Sequence, residues 1–209
     1  MQRVLVLGHS FIRRMERVSM DFKFQIAKVR YCGYIGSTPL NLIDQALNNF
    51  HKMVYRFSLP HVVVIVLGTN DVCSLYKLPP WELADKLIKL ATKFRNCGVQ
   101  EVMLVECLPR FGRKSFRRSC PFAGNPAVCA VSDMERVFAQ RMEGFNNRLQ
   151  EQCKATPGIT LVRLKGLHLE VRAQLEDGLH LSATGREKLR KAIRKEVIVA
   201  LLRCSNKKL

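Results

Sequence analysis

The sequence predicts an α/β domain, with five strands in a parallel sheet and helices on both faces. Three observations lead there. Short apolar runs alternate with longer segments of helical period along the chain, the pattern of repeated strand–helix crossovers. Two of the runs, Val4–Leu7 and His61–Leu67, are apolar almost without interruption, as strands covered on both faces are. A chain of 209 residues with 47% hydrophobic composition suffices for one domain with a sizeable core and is cramped for two. A single domain is expected over residues 1–209.

The elements follow in order. Val4–Leu7 (VLVL), closed by Gly8, reads as a buried parallel strand, and Phe24–Val29 as a weaker second one. After Pro39, apolar residues at 40, 43, 47, 50 and 54 recur at helical spacing. His61–Leu67 (HVVVIVL) is rich in β-branched residues and reads as the third strand. Pro79 and Pro80 open a helix through about Asn96, with Cys97-Gly98 as its stop signal. Val102–Val105 is the fourth strand. Ser132 and Asp133 start a long helix to about Cys153, broken by Pro157-Gly158. Ile159–Val162 is a fifth strand. The last helix follows Ser182 and carries Leu189, Ile193, Val197 and Leu201 on one face. The compositional break is Pro109–Val131, rich in Arg, Gly, Pro and Cys and long for a connection. It reads as a basic insertion at about 109–131 beside the active edge of the sheet.

Charge narrows the partners. Thirty-five Lys+Arg against 17 Asp+Glu leave +18, a field that attracts nucleic acid, an anionic lipid surface or acidic substrates. Arg110, Arg113, Lys114, Arg117 and Arg118 sit in the insertion with Phe111 and Phe116 between them, a mixture suited to phosphate and base contact. Arg186, Arg190 and Arg194, with Lys188, Lys191 and Lys195, run along the last helix, where a solvated face is the ordinary reading. Arg13, Arg14 and Arg17 follow the first strand and would favour an anionic substrate. No apolar run approaches the roughly 20 residues of a membrane span. The opening apolar stretch is shorter than the roughly 7–15 residues of a signal-peptide core, and the first strand starts almost at once, as in a domain taken from a longer chain. The eight cysteines form no Cys-x-x-Cys pair, which argues against structural zinc. Several lie in apolar patterns and read as small buried hydrophobes of a reducing compartment, whether cytoplasmic or nuclear. Cys120 and Cys129 flank a loop and could pair or bind metal, a reading secondary to that of reduced thiols. The oligomeric state is left open.

Four short segments fall where a parallel sheet puts its ligand, outside the carboxyl ends of the strands. These are Gly8-His9-Ser10, the stretch Gly33-Tyr34-Ile35-Gly36-Ser37-Thr38, Gly68-Thr69-Asn70-Asp71, and Asp177-Gly178-Leu179-His180. Each has a dull reading as a turn or a helix cap; their occurrence together at one sheet edge raises the set above those. It supplies what acyl transfer needs. Ser10, on the turn after a strand, is a nucleophile once a base takes its proton. His180 is the candidate base, and Asp177, three residues earlier, can accept the other ring N–H and fix the tautomer. The backbone N–H groups of Ser10 and Gly36 and the side-chain amide of Asn70 are candidate donors to an oxyanion, with glycine at 36 leaving room for substrate. His9 adjoins the nucleophile and is a candidate substrate contact, as are Arg13 and Arg14; loop scaffolding suits His9 equally. Asp71 reads as ordering the Asn70 loop. His51, His61 and His168 read as structural.

In this order, GHS, GYIGST, LGTND and DGLHLS resemble the four blocks of the SGNH (GDSL-like) hydrolases. The family's Ser, Gly, Asn and His fall here on Ser10, Gly36, Asn70 and His180, and the Asp of its final block on Asp177. The resemblance spans residues 4 to about 185. It implies a three-layer flavodoxin-like fold and ester hydrolysis through an acyl-enzyme, with neither metal nor cofactor. One position departs from the pattern: where the family's first block usually carries Asp before the serine, this chain has His9. The GHSFIRR opening and basic composition are also similar to esterase domains carried by some LINE-type retrotransposons. The alternative reading is a nucleic-acid-binding module that keeps the scaffold with weak or lost esterase activity. A plain nucleotide binder fits poorly, because no Gly-rich phosphate loop is present.

Overall fold

The computed structural model describes residues 1–17, 27–33, 42–57, 59–73, 78–111, 131–164, 167, 172–178 and 180–206. The strands are β1 (Gln2–Gly8), β2 (Ala27–Gly33), β3 (Val62–Val66), β4 (Glu101–Val105) and β5 (Ile159–Val162). The helices are α1 (Ser10–Arg17), α2 (Leu42–Asn48), α3 (Phe50–Phe57), α4 (Thr69–Cys73), α5 (Pro80–Asn96), α6 (Val131–Ala155) and α7 (Ala183–Asn206). All strand pairings are parallel, in the order β2-β1-β3-β4-β5. This is the flavodoxin-like order, in which the chain switches direction between β1 and β3 and ligands bind beside that switch.

Side chains leave a strand alternately to its two faces, and both faces are covered here. Leu5, Leu7, Val63, Ile65 and Leu104 pack with α2, α5 and α6 through Ile43, Leu87, Phe94, Phe138 and Phe145. Val4, Val6, Val62, Val64 and Met103 pack on the other face with α1 and α7 through Ile12, Met15, Leu189, Ile193 and Val197. Every residue of β3 and β4 is buried, which is why those segments are so nearly continuous in apolar residues. Glu101 is the exception, and Arg203 lies 3.7 Å from its carboxylate. The three-layer α/β expectation is met.

Boundaries differ in three places. The second strand runs Ala27–Gly33 rather than Phe24–Val29, and residues 24–26 lie outside the described ones. As an edge strand it alternates: Val29 and Tyr31 pack on one core and Cys32 on the other, with Lys28 more exposed. Arg30 therefore interrupts the apolar run without ending the strand. The periodic stretch after Pro39 divides into α2 and α3 at Asn49, whose side-chain amide donates to the Gln45 carbonyl at 2.9 Å. Residues 69–73, which include most of the Gly68–Asp71 segment whose dull reading is a turn, form a short helix. The insertion is described only through Phe111, and Val131 already belongs to α6.

Cys73, Cys107 and Cys204 are buried and stand in no disulfide, and burial pushes the Cys107 thiol up to about 12. Cys120 and Cys129 lie outside the described residues. Among the described residues, no helix is long and apolar enough to cross a membrane.

Candidate active site

The site is built on the two strands at the switch. In register, Gly8 at the end of β1 faces Val66 at the end of β3, so the segments leaving these strands start side by side. Gly8 has no room for a side chain: a Cβ would lie 2.4 Å from Ile12 Cγ1 and 2.8 Å from the Val66 carbonyl oxygen. The chain then turns at His9. Its N–H donates to Val66 O at 3.2 Å, and its carbonyl accepts from the Ile12 and Arg13 N–H groups at 3.0 and 3.3 Å. His9 thereby opens α1, and Ser10 is the first residue of that helix, half-buried at its N-terminus, where the helix dipole favours negative charge.

The His9 ring is 2% exposed and lies 4.4 Å from the Phe11 ring. Burial, then the Arg110 cation, then His180 hold its pKa down at about 3. His9 is therefore neutral, and residues 110 and 180 both lie close enough to Ser10's neighbour to act on it.

After β3, Gly68 adopts φ +115°, and a Cβ there would meet the Phe145 ring at 2.6 Å. Only glycine combines that conformation with that clearance. In the helical turn that follows, Thr69, Asp71, Val72 and Cys73 are buried and Asn70 is not, so the turn presents Asn70 outward. Asp71 Oδ1 accepts from the Ile43 N–H at 3.3 Å and ties α4 to α2, the ordering role expected of it. The side-chain amide oxygen of Asn70 (Oδ1) accepts a hydrogen bond from the Arg110 guanidinium.

The last segment is a tight loop. Leu175 and Leu181 form an antiparallel bridge, the Glu176 N–H donates to His180 O at 2.8 Å, and the Ser182 N–H donates to Gln174 O at 2.8 Å. Within it, Asp177 grips His180 twice. Oδ1 accepts from the His180 backbone N–H at 2.7 Å, and Oδ2 lies 2.8 Å from Nδ1. A carboxylate only accepts, so Nδ1 carries the proton and the Nε2 lone pair is left as a base. Two tethers hold this loop to its surroundings. Glu176 bridges Arg14 of α1 at 3.2 Å and Arg186 of α7 at 3.0 Å. The Phe111 N–H donates to the Gly178 carbonyl at 2.8 Å.

The structure thus gathers the Ser10 turn, Asn70 and the Asp177–His180 loop around His9 and Arg110. Gly36, Arg113, Lys114, Arg117, Arg118 and His168 lie outside the described residues. Arg14, a candidate substrate contact, is engaged by Glu176. Arg13 packs its Cβ against Gly33. His61 accepts from the Arg3 N–H through Nδ1 at 3.1 Å, and His51 is exposed on α3 beside Phe50. Two residues of the site carry no clear signal in the sequence. Arg110 reads there as one of the insertion's cations, yet this side chain is 5% exposed and bonded to Asn70. Glu176 is marked only by its place immediately before Asp177.

Solved structures of like fold agree with this architecture. A GDSL-like lipase from Bacteroides thetaiotaomicron is 21% identical with a TM-score of 0.70, covering 95% of this chain and 89% of its own. A carbohydrate acetylesterase from Sinorhizobium meliloti is 16% identical at a TM-score of 0.67, over 95% and 99%. A carbohydrate esterase of family 3 from Talaromyces cellulolyticus is 15% identical at 0.64, over 95% and 97%. A search of curated protein sequences gives no match. The family model for GDSL-like lipase/acylhydrolase matches residues 11–193, beginning one residue after Ser10. The chain belongs to the GDSL-like lipase/acylhydrolase family and is a hydrolase acting on esters.

Proposed function

We propose that the protein is a serine esterase of carboxylesterase or acetylesterase type, working through an acyl-enzyme. Ser10 Oγ attacks the ester carbonyl carbon as His180 Nε2 takes its proton. The tetrahedral oxyanion is held by the Ser10 and Gly36 N–H groups and the Asn70 amide. Its collapse expels the alcohol, which receives the proton from His180. Water then attacks the acyl-serine, giving its proton to His180; the acid departs and Ser10 is reprotonated. Asp177 keeps the imidazole in one tautomer and stabilises the imidazolium formed in each half. The observation that carries this reading is the two-point grip of Asp177 on His180, on a loop tied to the helix that Ser10 begins. No step uses a metal or cofactor. We take residues 1–209 as one such domain, intracellular and of retroelement type, on its cysteine usage and its GHSFIRR opening.

Turnover of a short aryl acetate tests it. Ser10→Ala and His180→Ala are each expected to lower kcat by a factor on the order of 10⁴ or more; equal turnover by wild type and Ser10→Ala removes the assignment.

A second reading, polyanion binding on the same scaffold, draws on one surface feature. Arg190, Lys191, Arg194 and Lys195 line an open groove of about 500 Å³ on α7, with Ile198 and Val199 at one end. A nucleic acid bound there would dissociate steeply as salt rises. A filter-binding titration that shows no salt-sensitive binding of RNA or DNA excludes it.

A further inference from the structure

We propose that Arg110 is a positioning residue that fixes which end of the Asn70 amide faces the substrate. The proposal rests on the serine esterase reading above, with Asn70 as an oxyanion donor.

An asparagine amide is nearly symmetric in shape, and its two orientations differ only in where oxygen and nitrogen lie. As an oxyanion donor it works in one of them, with Nδ2 toward substrate. In the other it presents a carbonyl oxygen to a developing negative charge. Something must choose. Guanidinium has five donors and no acceptor, so the amide atom that meets Arg110 has to be the oxygen. The structure has this arrangement: an Arg110 terminal nitrogen donates to Asn70 Oδ1. The nitrogen is left on the other arm of the planar group, and among the described residues nothing accepts from it.

Three observations separate this arginine from the surface cations around it. It is 5% exposed, so it is not placed to attract a ligand from solution. Its cation bears on the buried ring of His9, the residue before Ser10. And the residue after it, Phe111, donates its N–H to Gly178, inside the Asp177–His180 loop. Arg110 therefore stands where the three segments of the site meet. Its charge also polarises the Asn70 amide, strengthening the N–H groups that face substrate. That contribution is realised only when negative charge forms, so it belongs to kcat and not to substrate affinity.

The test is a double-mutant cycle on hydrolysis of a short aryl acetate, with Ser10→Ala run alongside. Removing an oxyanion donor costs roughly 10²–10³ in kcat, the loss expected for Asn70→Ala. Arg110→Met removes the donor at similar length and is expected to lower kcat about 10- to 100-fold with KM within about 2-fold. Added to Asn70→Ala, it is expected to cost less than about 3-fold more, since the amide it orients is gone. Arg110→Gln, which can offer either oxygen or nitrogen to Asn70, is expected to fall between wild type and Arg110→Met; it replaces Arg110→Met in the cycle if thermal unfolding shows that variant to be misfolded. Full multiplication of the two losses, or kcat within 3-fold of wild type in folded Arg110→Met, overturns the proposal. Turnover retained by Ser10→Ala overturns the esterase reading itself, and this proposal with it.

Discussion

Placing a histidine beside Ser10, the proposed nucleophile, has a measurable consequence for stability. His9 is 2% exposed in the fold, and burial, then Arg110, then His180 bring its pKa from the ordinary histidine value of 6.5 to about 3. The folded value lies below the unfolded one. Between pH 6.5 and 3, the unfolded chain therefore binds a proton that the folded chain refuses, and folding weakens as pH falls through that window. Each pH unit costs about 1.4 kcal/mol once the unfolded ring is protonated, so lowering pH from about 7.5 to about 5 removes roughly 2 kcal/mol through this residue alone. His9→Gln keeps a polar side chain there and does not titrate. Urea unfolding of both proteins at the two pH values gives the comparison. The wild type is expected to lose about 2 kcal/mol more than the variant on acidification, whatever their difference at pH 7.5. Parallel losses, within about 0.5 kcal/mol, would refute the claim that His9 is buried and neutral.

Two further outcomes follow from the packing around the site. Gly68→Ala has to hold alanine at φ +115° with its Cβ 2.6 Å from the Phe145 ring. A loss of roughly 1–3 kcal/mol or more is expected in the urea midpoint, together with lower kcat, because Asn70 lies two residues on. Glu176→Gln breaks ion pairs to Arg14 and Arg186 on partly exposed side chains, so stability is expected to change by less than about 1 kcal/mol. Its kcat is expected to fall about 3- to 10-fold as the His180 loop loses its tether to α1; unchanged kcat would show that the bridge does not position that loop.

The fold was legible because burial on both faces forces continuous apolar strands. His61–Leu67 and Val102–Val105 announce themselves for that reason, and β3 and β4 are buried throughout. The edge strand was harder to place, since half of β2 meets solvent and its period-2 pattern carries charges at Lys28 and Arg30. Asp177 and His180 could be paired from their spacing, as three residues fit one loop, and the loop closes as that spacing suggests. Arg110 could not be assigned. Its neighbours in sequence are basic, and only the course of the chain after β4 decides that this one turns inward to Asn70. Glu176 was invisible for the same reason: its partners lie 162 and 10 residues away. Departures such as His9 are easy to see in sequence, but their effect depends on burial, which spacing does not report.

The central claim is that Ser10 is the nucleophile activated by His180, and covalent labelling tests it most directly. After treatment with an organophosphonate ester, peptide mass mapping should find one equivalent of phosphonate on Ser10, slowed severely in His180→Ala and absent in Ser10→Ala. A protein that hydrolyses esters while Ser10 stays unmodified, or carries the label on another residue, would contradict it.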